Sequence, residues 1–444
     1  HVGRGTFIRA NTRPLQIAPP PPSIAPGKTI RWESLFADER GDDALDRLIR
    51  AMPARGISFV VAHPPAESFP LAEMRSCGNA VLRRDGARIL QYGATDGYPP
   101  LRKALLELLR SEGLQAREEN LLITDGCQQA LDLICKAFLR PGDAVILENP
   151  TYPGTIALLT AARARCLGVP VRTETGPGSV PGVDLDALEQ TLAANRVKLM
   201  FLTPDFHNPT GLSMSLAARR RLLEIASRHQ VPIVEDHIYS RLLACGERLP
   251  SLKQLDRANA VIQIDSVSKI AFPGLRLGWM VAPANVIERL RVVKQSTDLH
   301  TDQLSQAVVA EFTRRGLLVR HVERVRKMCG SRLAATEEAL VRHMPAETRW
   351  THPTGGMSIW LELPPGFDAN ELLVRARERG VVFAPGRYFY VQSPQPNTLR
   401  LSFSEVDERQ IARGVCILGD VLRSELARRQ RGARRFEPVR VALV

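Results

Sequence analysis

The sequence is poor in the features that would place it in a membrane, outside a cell or around a metal. No apolar run comes near the ~20 residues that cross a bilayer. "AVILENP", "KLMFLTP" and "VPIVED" each stop at polar or turn residues after a few positions. The opening "HVGRGTFIRA" has no apolar core like that of a signal peptide, and it starts with His rather than Met, so residues upstream are expected to be missing. The seven cysteines are odd in number and scattered, with no C-x-x-C pair and no histidine partner at metal spacing. That argues against a disulfide framework and against a zinc site, and a reducing cytoplasm is the expected compartment. There is no internal repeat.

What the chain does have is length, apolar content and positive charge. Its 444 residues, 44% of them hydrophobic, suffice for one large α/β unit and a smaller one. The net charge is +13, and Arg423 to Arg440 supplies a good part of it, with seven arginines against Glu425 and Glu437. A solvated basic tail over 423–444 is the plain reading, and contact with DNA phosphates or an acidic partner is the other.

Composition breaks at "APPPPSIAPG", Ala18 to Gly27, where four consecutive prolines favour an extended linker, taken here as residues 11–30. In residues 1–10 a Gly-Arg-Gly turn between Val2 and Phe7/Ile8 reads as the tip and second strand of a hairpin. From 31 to 422 helical and strand patterns alternate. "LRKALLELLRSEG" and "LAARRRLLEIASRHQ" have helical apolar spacing, and "VPIVED" follows the second as a strand. That rhythm predicts a mostly parallel, helix-covered sheet, roughly residues 80–300. Residues 31–79 and 310–422, with "GMSIWLELP" and "TLRLSFSE", read as a smaller α+β domain.

Parallel sheets present working residues at the carboxyl ends of their strands. "NLLITDGCQQALDLI" passes from a strand into a helix whose first turn exposes the N–H groups of Gly126, Cys127 and Gln128, an anion seat. "AVILENPTYPG" holds Tyr152 between two prolines, either a plain tyrosine or an aromatic plane for a flat ligand, and "NPTG" is either a simple turn or a place from which the Asn208 amide can donate into the crevice. "VPIVEDHIY" carries Asp236 and Tyr239 just past a buried strand, where Asp236 serves either as a helix cap or as a carboxylate in need of a cation. "AVIQIDSVSK" delivers Ser266, Ser268 and Lys269, with Arg276 seven residues on. A lysine at a buried strand end is expensive unless neutral, paired or covalently used. Together these groups are the parts list for pyridoxal 5′-phosphate: a phosphate seat, an aromatic plane, an acid for a ring nitrogen, a donor for a ring oxygen and an amine for an aldehyde.

"SVSKIAFPGLRLG", with "NPTG", "EDHIY" and "LRLSFS", closely resembles the fold-type I aminotransferases of class I/II over residues 31–422. The resemblance implies a seven-stranded, mostly parallel sheet in the large domain. It implies Lys269 as the Schiff-base and proton-transfer lysine, Asp236 on the pyridinium nitrogen, Asn208 and Tyr239 on the phenolic oxygen, and Tyr152 on the ring. Ser266, Ser268 and Arg276 would join Cys127 and Gln128 around the phosphate. Tyr92, in "YGATDGYPPLR", would reach the phosphate of a neighbouring subunit, which implies a homodimer. Arg400 would grip a substrate α-carboxylate, and Gly355-Gly356 would let the backbone pass close to the site. Cys127 departs from the usual Ser, Thr or small residue, and a thiol is a weak donor.

"GRGTFI" ahead of the linker resembles the last wing strand of a GntR-type winged helix-turn-helix, as in MocR (GabR-like) transcriptional regulators. "PPLRKALLELL" and "QAVVAEFTRRGLLVRHVERVR" look like that group too. The first expectation is therefore the effector domain of such a regulator, sensing an amino acid or amine through an external aldimine, with DNA contacted only by an upstream domain absent from this chain. A free-standing aminotransferase of aminoadipate or aromatic type is the alternative. No membrane partner is expected.

Overall fold

The computed structural model describes residues 30–35, 56–173 and 181–435. The chain divides into two compact units, His1–Asp46 and Arg47–Val444. Of the first, the described part is one 3-10 turn, Trp32–Leu35. The expected wing remnant at 1–10 and all of the linker but residue 30 lie outside the described residues.

The second unit is built on two sheets. The larger has the strand order Leu121–Thr124, Gly278–Val281, Val261–Ser266, Ile233–Asp236, Val197–Leu202, Ala144–Asn149, Arg165–Arg172, Gly182–Val183. Its strands run parallel except Gly278–Val281 and Gly182–Val183, which are antiparallel to their neighbours. The continuous apolar runs seen in the sequence are the interior strands, buried on both faces as parallel strands under helices must be. The sheet has eight strands where seven were expected. The extra one, Gly182–Val183, is a two-residue edge strand too short to carry a periodic signal.

The smaller sheet joins Ile57–Phe59, parallel to Val381–Pro385, to Thr398–Ser402, Ser358–Glu362 and Arg349–Trp350. Two boundaries read from the sequence need moving. The one near residue 80 falls inside the helix Leu71–Ile89, whose Cys77 and Val81 pack in a core with Leu101, Leu105, Val267 and Trp279. The one at 422 falls inside the helix Glu408–Arg435. Its apolar face runs through Ile411, Val415, Leu418 and Leu422 and on to the half-buried Leu426, one turn past that boundary. Arg428 of this helix pairs with Glu425 at 2.8 Å, Arg375 of the helix Ala369–Glu378 pairs with the same carboxylate, and the Arg429 guanidinium lies 4.2 Å over the Phe367 ring. Residues 436–444 lie outside the described part.

One core position contradicts the usual rule for polar groups. His321 is 2% exposed, stacks on Phe272 at 5.4 Å and leaves both ring nitrogens without a hydrogen-bond partner. Burial, with help from the Arg324 charge, pushes its pKa down to about 4. The folded state therefore refuses a proton that the unfolded chain accepts near pH ~6.5. Stability from this group is complete above that value and is lost as pH falls towards 4. His321→Phe should remove that part of the acid sensitivity, read as a smaller drop in urea midpoint between pH 7 and pH 5 than the unaltered protein shows.

Candidate active site

The crevice is assembled at the carboxyl edge of the large sheet. Leu121–Thr124 leads into the helix Gly126–Phe138, whose cap residue Asp125 makes no side-chain capping bond, so the first N–H groups stay available. Gly126 adopts φ +79°, and a Cβ there would sit 2.9 Å from Arg276 Nη2. The Arg276 guanidinium thus lies directly over the helix start, donating to the Asp125 and Pro273 carbonyls at 3.3 Å each. Between that helix and the serine turn runs Gly278, paired with both Thr124 and Ser266. Ser266 Oγ donates to Ser268 Oγ at 2.7 Å, which shapes the turn before Lys269.

Lys269 Nζ donates to the Ala62 carbonyl at 2.6 Å and stands 6.0 Å from the Tyr239 ring centroid. Burial, then the Arg400 charge, lowers its pKa to about 8. Asp236, the last residue of its strand, accepts the Ile238 N–H at 3.2 Å, and burial raises its carboxyl to about 6. The same burial raises the Tyr239 and Tyr152 phenols and puts the Cys127 thiol well above its ordinary value, so Cys127 is no thiolate nucleophile.

Arg400, on the strand Thr398–Ser402, is buried and has no acidic partner among the described residues. Its Nη1 donates to Asn208 Oδ1 at 2.7 Å, its Nη2 to the Val60 carbonyl, and its Nε has no partner. It lies 4.8 Å over the Phe389 ring, and burial lowers its pKa to about 10. A buried guanidinium that faces carbonyls rather than a carboxylate is prepared for an anion from outside. Because Asn208 Oδ1 is taken by Arg400, its amide nitrogen is the end left to donate into the crevice.

The structure therefore gathers Lys269, Asp236, Tyr239, Cys127, Tyr152, Asn208 and Arg400 about one crevice, with the Gly126 helix start, Gln128, Ser266, Ser268 and Arg276 alongside. Gln128 Oε1 lies 3.5 Å from the Tyr152 hydroxyl. Tyr92 is not brought in: it is 84% exposed, its ring against His300 at 5.8 Å. Gly355 and Gly356 lie tight against the Leu242–Leu243 backbone and the Phe206 ring. A Cβ on Gly355 would meet the Leu242 carbonyl at 2.3 Å, and Gly356 has φ +77°. What the sequence reading missed is the segment Val60–His63, whose carbonyls hold both cations. Its one signal is the short β-branched run in "ISFVVAHPP" ending at two prolines.

An anion seat, a depressed amine, a raised carboxyl and an unpaired arginine in one crevice fit a cofactor with a phosphate, a basic ring nitrogen and an aldehyde. They define a pyridoxal 5′-phosphate protein of fold type I. The chain belongs to the aminotransferase class I and II family, whose model matches residues 64–418. LysN, the α-aminoadipate aminotransferase of Thermus thermophilus, solved with N-(5′-phosphopyridoxyl)-L-leucine, is similar at TM-score 0.80 and 39% identity, covering 90% of this chain and 100% of that one. Aromatic-amino-acid aminotransferase 1 of Thermococcus litoralis is 34% identical over 408 residues, 90% of this chain and 96% of the relative. A helix-turn-helix-type transcriptional regulator of Bacillus subtilis is 33% identical over 366 residues, 82% of this chain and 73% of the regulator. Among the described residues no helix is long and apolar enough to cross a membrane, and no group of side chains could hold a metal ion.

The depressed lysine is open to direct measurement without cofactor. In the apoprotein, acylation of Lys269 by acetic anhydride should reach half its limiting rate near pH 8, followed by peptide mass spectrometry. A midpoint above pH ~10, the range of an ordinary lysine, would contradict the burial argument.

Proposed function

We propose that the chain is a pyridoxal phosphate-dependent aminotransferase that takes the amino group from an L-amino acid with a long acidic or aromatic side chain. The observation that carries this reading is the buried Arg400, free of any acidic partner, in the same crevice as a lysine lowered to about 8. When bound, the cofactor supplies an aldehyde that accepts the amino group and an electron sink for the bond broken at the substrate Cα.

Each residue then has a task its surroundings suit. Lys269, whose Nζ donates to the Ala62 carbonyl, would hold the cofactor through that nitrogen and would be the group that carries a proton at the substrate Cα. Asp236 keeps the ring nitrogen protonated. The Asn208 amide and the Tyr239 hydroxyl would donate to the ring oxygen, and Tyr152 would supply an aromatic plane for the ring. The N–H groups of Gly126, Cys127 and Gln128, with Ser266, Ser268 and Arg276, bind the phosphate. Arg400 clamps the α-carboxylate and so aligns the Cα–H bond. The exposed Tyr92 reaches the phosphate of a partner subunit, which makes the working unit a homodimer.

The substrate class follows the relatives, whose names specify α-aminoadipate and aromatic amino acids. Those similarities favour an enzyme over the regulator effector domain that the sequence puts first. The Bacillus subtilis relative keeps the effector reading as the second one, in which the same amine and arginine register a ligand rather than turn it over.

The loaded protein should transfer the amino group of L-2-aminoadipate or L-phenylalanine to a 2-oxo acid, assayed by amino acid analysis. Lys269→Ala should abolish transfer, and borohydride reduction of the unaltered protein should leave the label on the Lys269 peptide. A label elsewhere, or none with excess cofactor, overturns the reading. Arg400→Lys should raise KM for the amino acid by about tenfold or more, because an ammonium cannot form the planar fork. An unchanged KM would remove Arg400 from substrate binding.

A further inference from the structure

Beneath Asp236 lies a chain of buried charges that the tasks above leave without a role. Asp236 pairs with Ile264 across the sheet, so alternation puts Asp236 and Ser266 on the crevice face and Asp265 on the opposite one. Asp265 is fully buried there. Its Oδ2 accepts Arg241 Nη1 at 2.6 Å and lies 3.4 Å from His237 Nδ1, and its Oδ1 accepts the Ser266 N–H at 2.7 Å. Arg241 gives its remaining fork to both oxygens of Glu112 at 2.8 Å, and Arg248 reaches Glu112 at 3.3 Å. Cations and carboxylates therefore alternate from His237 outward.

The other groups facing His237 are accounted for. Its Nδ1 is 3.1 Å from Ser240 Oγ, and its Nε2 is 4.0 Å from Asp205, which Arg219 holds. Glu235, its neighbour on the same strand, uses its two oxygens on the Leu252 and Lys253 N–H groups and on Gln263. The His237 N–H itself donates to the Ile264 carbonyl at 3.0 Å. Burial alone would raise the Asp265 carboxyl, and Arg241 and His237 outweigh it and hold it low. Burial would likewise lower the His237 pKa, and the bond to Asp265 outweighs it and raises it.

Joining two strand ends does not require charge, since well-packed apolar residues do as well or better than a buried ion pair. Charge does something apolar packing cannot: it fixes the potential one residue away, where Asp236 faces the crevice. Both Asp265, which raises the Asp236 carboxyl, and His237, which lowers it, act at that point.

Resting on the reading of the site as a pyridoxal phosphate crevice, we propose that Asp265, His237 and Arg241 are positioning residues that act through Asp236 to set the proton affinity of the cofactor ring nitrogen and of the cofactor-linked Lys269 nitrogen. Asp265 strengthens the hold on those protons, and Arg241, together with His237 when it is protonated, weakens it.

The sign pattern is the test, read as the pH midpoint of the visible absorbance band of cofactor-loaded protein. Asp265→Asn should move the midpoint down by about one pH unit, the size expected for a charge several ångströms away in an effective dielectric of ~20. Arg241→Gln should move it up, and the double variant should return it close to the unaltered value. If Arg241→Gln does not fold, His237→Gln, a smaller perturbation, should move the midpoint in the same upward direction. A role confined to holding the strands predicts no such opposition, so shifts of one sign, or none, overturn the proposal. A protein that shows no visible band with excess cofactor overturns the pyridoxal phosphate reading and the proposal with it, whereas a band that the variants do not displace overturns the proposal alone.

Discussion

The crevice depends on two cations being kept away from any carboxylate of their own. Lys269 Nζ is met by the Ala62 carbonyl, and Arg400 by the Val60 carbonyl and the Asn208 amide oxygen. A carbonyl dipole offsets part of the loss of hydration without fixing the charge, so the amine stays easy to deprotonate and the guanidinium stays open to an anion. Had the chain supplied a paired carboxylate at either place, the result would be an inert buried salt bridge. Both carbonyls belong to Val60–His63, the segment that follows the edge strand Ile57–Phe59 of the small sheet. The environment of Lys269 and Arg400 therefore depends on how the small sheet lies against the large one.

The rest of the architecture serves to bring backbones close enough for that. A Cβ on Gly278 would meet the Asp265 carbonyl at 2.8 Å, and the Gly126 Cα at the same distance. Three strand ends are thus closer together than any side chain permits, and the helix N–H groups, the serine turn and Arg276 share one volume. An anion bound there would meet fixed N–H dipoles at the helix start and the solvent-exposed Arg276 guanidinium together.

Much of this was legible because parallel strands have two signatures, an apolar run and a working residue just after it. "IVED" and "VIQIDS" carry both, so Asp236 and Lys269 stood out as candidates by position, while their tasks, and Asn208's, came only with the family resemblance. What stayed hidden has no local signature. Asp265 and His237 look like ordinary neighbours of the motif residues, and Arg241 and Glu112 are far apart in the chain, so their chain of charges exists only once the sheet places them. The Val60 and Ala62 carbonyls contribute backbone rather than side chain, which no residue type announces. The eighth strand failed for the opposite reason, being too short for any period to register.

The positive charge shows how far composition can mislead when geometry is absent. Arg423 to Arg440 suggested either a solvated tail or a nucleic acid contact; of these arginines the three with described side chains, Arg423, Arg428 and Arg429, lie on a helix and have partners within the fold. Arg423 pairs with Asp420 at 2.6 Å, Arg428 with Glu425, and Arg429 covers Phe367. Surface pairs of this kind contribute at most about 1 kcal/mol each. Their effect is rather to lower the local potential that a polyanion would feel, since a cation with a carboxylate three residues away releases less on meeting a phosphate than a free one does. Arg400 is the reverse case: a single arginine, invisible in any charge count, whose want of an acidic partner in a buried place gives it far more attraction for an anion than the arginine-rich helix has. For this chain, where a charge is left unpaired says more about ligands than how many charges there are.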